Sequence, residues 1–334
     1  MKRFDLPGTR SGLMLRVSVP FPRAVVLLVL IFFGSLYAQQ ATVIVVAGAP
    51  GEAEFATDIA LQVEAWKKVS AQAAAKSVII GAESVATGSD HDRLKAALAA
   101  EPKSGLDEVW MVLIGHGTFD GKDAKLNLRG PDVSATEMAE WLKPFTRPLA
   151  VIDTTSSSAP FMNKLAAPGR VIVSATRSGN EHNYARFGKF LAEALPDAKS
   201  DLDKDGQVSL LESFLSAAHR TAEFYKTEGR LATEHALLDD NGDGLGTPSD
   251  WFRGVIATKR TRDGAPPDGL RAHQFHLVRS TDEQQLSPEV RARRDRLEQQ
   301  IAGLRDKKEK LGEEKYFNDL EKLLLELAAL YRGT

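Results

Sequence analysis

The apolar run Val109–Ile114 constrains the fold more than any other stretch of the chain. It is short, it includes a tryptophan, and it ends in Gly115-His116-Gly117. A short apolar run among helical patterns is typical of a strand buried on both faces, as in the parallel sheet of an α/β protein. Ligands of such sheets bind beyond the carboxyl ends of the strands. The two glycines would let the backbone approach a ligand there and expose the His116 imidazole; alternatively, His116 is a turn residue without chemistry.

The rest of the chain up to Leu195 alternates between strand and helix patterns. Further strands are predicted at Thr42–Ala47, Val78–Gly81, Pro148–Ile152 and Val171–Ala175, and a small β excursion at Lys125–Leu128. Helices are predicted over Phe55–Val69, His91–Ala100, Ser134–Leu142 and Tyr184–Leu195. This alternation predicts a three-layer α/β fold, with a mostly parallel sheet and helices on both faces.

The N-terminal segment, up to Ala38, has the layout of an export signal. Basic residues precede the apolar segment Ala24–Phe33, and small residues follow it as far as Ala38. This order predicts cleavage after Ala38 and an exported protein, periplasmic or secreted. An uncleaved anchor is the alternative, but the segment is shorter than the ~20 residues of a membrane span. After cleavage, therefore, no stable membrane span is expected.

Composition excludes several classes of function. The chain has no cysteine, which excludes disulfides, thiolate metal sites and a cysteine nucleophile supplied by the chain itself. Its formal net charge is −2, which gives no general attraction to nucleic acid. The basic stretch 291–296 is interpreted as a solvated helix face and not as a nucleic-acid patch.

An acidic segment at Asp201–Glu212 fits the calcium-loop pattern D-x-D-x-D-G-x5-E at every specified position. In such a loop the acids supply hard oxygens, a glycine allows the sharp turn, and the last glutamate closes the site with both oxygens. The predicted ligands are Asp201, Asp203, Asp205, the Gln207 carbonyl, Ser209 through water, and Glu212. Helical patterns lie on both sides, the second over Leu210–Tyr225. The alternative is an acidic turn that caps a helix and binds no metal.

A second acidic loop begins at Asp239 and matches the first half of the same pattern. Its candidate ligands are Asp239, Asn241, Asp243 and, at the twelfth place, Asp250. The match weakens after Gly244, because Gly246 replaces an apolar residue, Asp250 is shorter than glutamate, and no strong helical pattern follows. Ca²⁺ is thus predicted for the first loop and remains an open possibility for the second.

The C-terminal part is dense in charged residues and leucine. Two apolar stripes, within 290–304 and 320–330, predict a helical hairpin, or alternatively a coiled coil that self-associates. His273 and His276 could share a helix face as metal ligands, but no third ligand lies near them, so a surface or packing role is favoured. The predicted domains are a signal peptide (1–38), an α/β domain (39–198), a calcium-loop region that completes it (199–258), a linker (259–285) and a helical tail (286–334).

Three strand ends taken together resemble the legumain–caspase superfamily of cysteine peptidases. The residues that carry the resemblance are Val109–Gly117, Leu149–Ser158 and Val171–Gly188, within a match over Thr42–Leu195. The calcium loops also look like segments that follow legumain-like domains in some bacterial exported proteins. The resemblance implies that His116 is the catalytic histidine, that the Gly117 N–H helps to form the oxyanion hole, and that Thr155 occupies the nucleophile position, with Ser156 beside it.

The chain departs from the family at the nucleophile, because Asp153-Thr154-Thr155 stands where the family has acid-Ala-Cys. A hydroxyl needs a base in tight hydrogen-bonding geometry, whereas a thiol ionises readily beside a histidine. Three hypotheses follow. The chain is a pseudo-peptidase that binds a peptide or protein partner, a hydrolase that uses Thr155 or Ser156 with His116 and Asp153, or a calcium-binding structural protein whose resemblance is architectural.

Overall fold

The alternating strands and helices form one central sheet with helices on both faces. We describe residues 40–83, 88–259 and 265–332 of a computed structural model; the predicted export signal lies outside these residues. The strands are β1 (Thr42–Ala47), β2 (Lys76–Ile80), β3 (Val109–Ile114), β4 (Gly117–Phe119), β5 (Ala124–Leu126), β6 (Val133–Ser134), β7 (Leu149–Asp153), β8 (Arg170–Ser174), β9 (Leu237–Asp239), β10 (Thr247–Pro248), β11 (Phe252–Arg253) and β12 (Ile256–Ala257).

The helices match most of the helical patterns, with shifted ends. They are α1 (Ala53–Gln72), α2 (Asp90–Ala100), α3 (Ala135–Leu142), α4 (Ala159–Leu165), α5 (Phe187–Ala194), α6 (Leu210–Thr227), α7 (Leu270–His273), α8 (Thr281–Gln285), α9 (Pro288–Asp306), α10 (Lys308–Leu311) and α11 (Glu313–Arg332). Ser134 caps α3 by accepting a hydrogen bond from the Glu137 N–H, as its capping-box pattern predicts. Helix α5 begins at Phe187, so Tyr184 lies in the loop before it.

The main sheet has seven strands in the order β10-β9-β8-β7-β3-β1-β2. Strands β2, β1, β3, β7 and β8 are parallel, whereas β9 and β10 each run antiparallel to the preceding neighbour. The predicted excursion after the histidine is a separate three-stranded sheet, β4-β5-β6. The mostly parallel sheet predicted from the sequence is therefore confirmed, and the antiparallel edge was not predicted.

Each face of the sheet carries its own apolar core. On one face, α1, α5 and α6 cover the sheet, with Trp66, Leu191 and Phe214 in the core. On the other face, α2, α3 and α4 cover it, with Leu94 and Met138 among the buried residues. Every residue of β3 is fully buried, because helices cover the central strand on both sides.

The segment interpreted as a linker contributes to the core in its described part. Ala272, Phe275 and Leu277 are buried with the α1, α5 and α6 side chains. The predicted hairpin is present as α9 and α11, which pack against each other. Within the described residues, no helix is long and apolar enough to cross a membrane.

Candidate functional site

The two glycines around His116 hold it at the carboxyl edge of the sheet. Gly115 has a φ of 132°, and a Cβ there would lie 3.2 Å from the Gly48 Cα. A Cβ on Gly117 would lie 2.2 Å from the Ser156 carbonyl oxygen. No larger residue fits either position without moving the backbone. The turn after β3 is thus packed directly against the polar run that follows β7.

The His116 imidazole lies in a group of aromatic rings. Its centroid is 4.8 Å from the Phe55 ring, edge to face, and 5.4 Å from the Tyr184 ring. Phe55 and Tyr184 are stacked, with centroids 4.7 Å apart. In the described part of the chain, no hydrogen bond joins the His116 ring to Thr155 or Ser156. The three rings, which we call the aromatic cluster (Phe55, His116 and Tyr184), are all half-buried.

Thr155, which the resemblance assigns to the nucleophile position, is bound to the acid two residues before it. Its hydroxyl donates to Asp153 Oδ1 at 2.6 Å, and its N–H donates to the same oxygen at 3.0 Å. Both residues are fully buried. Asp153 Oδ2 is buried without a hydrogen-bond partner, and burial raises the pKa of this carboxyl to about 7. Asp153 therefore holds the threonine hydroxyl and does not orient a histidine.

The Ser156 hydroxyl accepts a hydrogen bond from the Gly117 N–H, the backbone group that the resemblance assigns to an oxyanion hole. The Gly117 N–H donates to Ser156 Oγ at 3.1 Å, and this hydroxyl donates back to the Gly117 carbonyl at 3.2 Å. The structure brings Asp153, Thr155, Ser156 and Gly117 together at one edge of the sheet. Their hydrogen bonds are made with one another, so the Gly117 N–H is already occupied.

One hydroxyl in this region does contact an imidazole, and sequence reasoning did not find it. Ser157 Oγ lies 3.1 Å from His182 Nδ1, and Ser157 has a φ of 56°, which is uncommon for a residue with a Cβ. His182 comes from the loop after β8, within the segment that carried the family resemblance. The Ser157 residue is only 1% exposed, so a substrate would reach its hydroxyl poorly.

The first acidic loop has the predicted carboxylates close together. Asp201, Asp203 and Asp205 offer oxygens within 4.8 Å of one another, and Gly206 makes the turn with a φ of 89°. Glu212 reaches back to the start of the loop: its Oε1 accepts from the Leu202 N–H at 2.7 Å and its Oε2 from the Ser209 hydroxyl at 2.7 Å. Asp203 also groups with Glu212 and His273, and carboxylate oxygens are hard donors of the kind that suit Ca²⁺. The Gln207 side chain donates to Asp205 and accepts from the Ser280 N–H.

The second loop repeats the hydrogen bonds of the first in its opening half. Asp201 accepts from the N–H groups three and five residues later, at 2.6 and 3.2 Å. Asp239 does the same with Gly242 and Gly244, at 2.8 and 2.7 Å. Asn241 and Asp243 then each accept from the N–H two residues on, as Asp203 and Asp205 do. The two loops therefore share one backbone conformation.

The closing carboxylate of the second loop comes from Asp268, a residue that the sequence pattern did not indicate. Asp268 Oδ1 accepts from the N–H groups at the second and third loop places, at 2.9 and 3.1 Å. Its Oδ2 accepts from the hydroxyl at the ninth place, Thr247, at 2.5 Å. Glu212 makes the equivalent contacts with Leu202, Asp203 and Ser209 in the first loop. Asp268 thus stands in the second loop where Glu212 stands in the first.

Asp250, the candidate for that role, points elsewhere. Its carboxylate is exposed and lies 3.6 Å from Lys259 Nζ. Asp268 is buried, and burial together with the neighbouring Asp240 carboxylate raises its pKa to about 8. A cation beside these acids would offset the repulsion that raises this pKa.

The two histidines of the C-terminal segment have different surroundings. His273 Nε2 lies 3.0 Å from Asp203 Oδ2, and His273, Asp203 and Glu212 together offer atoms within 4.8 Å of one another. His276 is buried, and its Nε2 has no hydrogen-bond partner among the described residues. His273 therefore joins the first loop from a distant segment.

Comparisons with known proteins concern the fold. No protein-family profile and no curated protein matches this chain. It is similar to the Drosophila initiator caspase Dronc at 12% identity and a TM-score of 0.40, over 63% of this chain and 82% of that one. It is similar to caspase-1 from Spodoptera frugiperda at 11% identity and a TM-score of 0.40, over 60% and 86%. A protein from Geobacter sulfurreducens matches at 10% identity and a TM-score of 0.37, over 54% and 89%.

Proposed function

We propose that this chain is an exported pseudo-peptidase, which binds a peptide or protein partner at the carboxyl edge of its sheet without cleaving it. The observation that carries the proposal is the hydrogen bond from the Thr155 hydroxyl to Asp153. A hydroxyl becomes a nucleophile when a base takes its proton within hydrogen-bonding reach. Here the acceptor is a fully buried carboxyl, and the His116 imidazole packs against aromatic rings instead.

The occupied Gly117 N–H supports the same conclusion. An oxyanion hole requires donors that are free to meet charge as it develops in the transition state. This N–H is bound to Ser156, so a substrate oxygen would have to displace that hydroxyl. Two of the elements on which acyl transfer depends are thus engaged within the protein.

The aromatic cluster is the surface that we assign to partner binding. Phe55 comes from α1, His116 from the turn after β3 and Tyr184 from the loop before α5. Half-buried rings from separate elements offer flat apolar faces to a partner side chain, and aromatic residues dominate the energetics of many interfaces. No partner of nucleic-acid type is proposed, since the net charge is −2.

The test is peptide binding and turnover by residues 39–334, measured on one peptide library. We expect saturable binding without cleavage, and we expect Phe55→Ala or Tyr184→Ala to weaken binding about tenfold or more. Phe317→Ala is the matched control, because this ring is half-exposed on α11, away from the cluster. Cleavage that disappears in His116→Ala would overturn the proposal, and so would binding that the two cluster variants leave unchanged.

A hydrolase remains the second candidate because of the Ser157–His182 contact. A serine beside an imidazole, held in a left-handed backbone conformation, has features of an activated nucleophile. Fluorophosphonate labelling separates the two candidates. Labelling that is lost in both Ser157→Ala and His182→Ala would establish the hydrolase, whereas a pseudo-peptidase takes no label.

We also propose that Ca²⁺ stabilises the protein through both acidic loops. The support is the shared hydrogen-bond pattern of the two loops and their closing carboxylates, Glu212 and Asp268. The ion would neutralise carboxylates and tie the region after α5 to the sheet. Sites of an exported protein can be weak, with Kd on the order of 10⁻⁴ to 10⁻³ M, because calcium is abundant outside cells.

Self-association through the C-terminal helices is proposed as well. Helix α11 exposes Phe317, Leu324 and Leu325, at 49%, 46% and 61%. Apolar groups exposed together on one helix favour pairing with a second helix. Sedimentation velocity should show a concentration-dependent dimer that Leu325→Glu abolishes, and a monomer at all concentrations would reject this proposal.

A further inference from the structure

A cavity of about 450 Å³ lies at the end of the sheet opposite to His116. Glu108, directly before β3, and Pro148, directly before β7, form part of its wall, and side chains of α7 and α9 form another part. Its volume falls within the range of small-molecule sites, which is ~300–1,000 Å³. The proposed peptide cleft does not account for this cavity, and of the two acidic loops only the second reaches its wall, through Asp240 and Asn241.

Most carboxylates of the wall already have partners. Glu108 accepts from Arg279 at 2.9 Å. Glu283 and Asp295 both accept from Arg294, at 2.6 and 3.0 Å. Asp240 accepts from the backbone N–H groups of Gly269 and Ala272. Asp107 and Asp240 form no ion pair with a described residue, and burial raises the pKa of both carboxyls.

Two guanidinium groups of the wall form no ion pair with a described residue. Arg291 donates to the backbone carbonyls of Glu283 and Leu286 and forms no ion pair with a described residue. Arg296 is exposed and also forms none. A third, Arg271, forms a long ion pair: its Nη1 lies 3.9 Å from Asp295 Oδ2. Among the described residues, the wall carries five guanidinium groups and five carboxyl groups, and the guanidinium groups of Arg291 and Arg296 are the ones that form no ion pair.

Two polar atoms in the wall are buried without a hydrogen-bond partner among the described residues. They are Arg271 Nε and His276 Nε2, and the His276 residue is only 6% exposed. Buried donors left unpaired are costly, and such groups commonly mark a site that a ligand completes. Both unpaired groups are donors or can become one, which again favours an acceptor as the ligand.

We propose that this cavity is a second binding site, which takes a small molecule carrying a carboxylate or phosphate group. The anionic group binds the guanidinium groups of Arg291, Arg296 and Arg271, because planar guanidinium groups match the geometry of carboxylate and phosphate oxygens. The remaining volume accommodates an uncharged part of the ligand against Phe275 and Pro148. The ligand would join α9 to the amino-terminal edge of the sheet.

The experiment is calorimetric titration of the protein with citrate and, in a separate arm, with inorganic phosphate, at constant ionic strength. We expect saturable one-to-one binding of at least one anion, and the arm that binds identifies the group. Arg296→Gln should weaken this binding about tenfold, since a charge-assisted hydrogen bond is lost. Arg291→Gln should do so as well.

The control is Arg305→Gln, on the same helix but outside the cavity wall. Arg296 is exposed, so its substitution leaves folding intact even if Arg291→Gln perturbs the turn before α9. If all three variants bound the anions with equal affinity, the proposal would be overturned, because binding would then depend on the overall charge of the protein and not on this cavity. Absence of saturable binding by the unsubstituted protein up to about 10 mM of either anion would overturn it too.

Discussion

At the scale of single residues, Asp153 has an unusual set of hydrogen bonds. Both hydrogen bonds that it accepts come from Thr155 and end on one oxygen, while the other oxygen has no partner. Desolvation outweighs these two bonds, so its pKa rises to about 7. A buried carboxyl of this kind holds a proton that the unfolded chain releases at much lower pH.

Asp153→Asn should make the protein less sensitive to pH. The folded pKa of about 7 lies above the ordinary 3.8, so the folded state holds more protons than the unfolded state between these values. Stability due to Asp153 is therefore lost as pH rises through this window and is constant above it. As pH rises through this window, the unsubstituted protein should lose up to about 1.4 kcal/mol of unfolding free energy per pH unit relative to the asparagine variant. Urea unfolding at several pH values between 5 and 8 measures the difference, and parallel profiles would show that Asp153 is already ionised.

The sequence predicted which residues meet at this edge but not how their side chains pair. Parallel strands end at one edge, so Gly117 and the run after Asp153 had to be neighbours. The direction of each hydroxyl depends on the turn after β7, which has no sequence pattern of its own. The orientation of His116 depends on Phe55 and Tyr184, which lie far before it and far after it in the chain. Such distant packing leaves no local signal.

At the scale of elements, the two acidic loops are joined by a short segment. Asp268 closes the second loop, and His273, at the end of α7, contacts Asp203 of the first. Asp240 binds the N–H groups of Gly269 and Ala272, which fixes α7 to the second loop. The position of Asp268 could not be read from the pattern, because that pattern assumes a closing acid at the twelfth place.

Calcium should raise the melting temperature, and Glu212→Gln and Asp268→Asn should each reduce this rise. A ligand that binds the native state at ten times its Kd adds about 1.4 kcal/mol per site to the unfolding free energy. Asp250→Asn is the matched control, since its exposed carboxylate pairs with Lys259. Thermal unfolding in calcium and in chelator gives the comparison. If Asp250→Asn reduced the effect and Asp268→Asn did not, the twelfth place would be the true closing position.

Helix α4 and strand β9 were not predicted from the sequence, for different reasons. Helix α4 has a proline in its first turn, a helix-start signal that follows the hydroxyl run and that our prediction missed. Strand β9 is very short, and the second acidic loop begins at its last residue, Asp239. It pairs antiparallel with β8, and both α5 and α6 lie between these two strands in the chain. Alternation of strands and helices alone therefore could not place it.

At the scale of the whole molecule, the helical tail is fastened to the α/β domain. Gln274 is buried and binds α9 through the Asp295 carbonyl, Glu298 and Gln299, at 3.1, 2.8 and 2.8 Å. Arg279 reaches Glu108, at the start of the central strand. The segment from 265 to 285 is thus a connection with many contacts, whereas its sequence, rich in proline and glycine at the start, indicated a linker.

Leu297→Ala tests whether the tail and the domain unfold together. Leu297 is 1% exposed on α9, so its truncation leaves a cavity and should cost about 2–5 kcal/mol. Gln300→Ala is the control, because this side chain is exposed on the same helix and its loss should change stability by less than about 0.5 kcal/mol. If the tail is part of one cooperative unit, far-UV circular dichroism and tryptophan fluorescence will report the same lowered midpoint.

All four tryptophans of the chain precede α9, so fluorescence follows the α/β domain and not the tail. A fluorescence midpoint that stayed fixed while the helical signal fell would instead show a tail that unfolds separately.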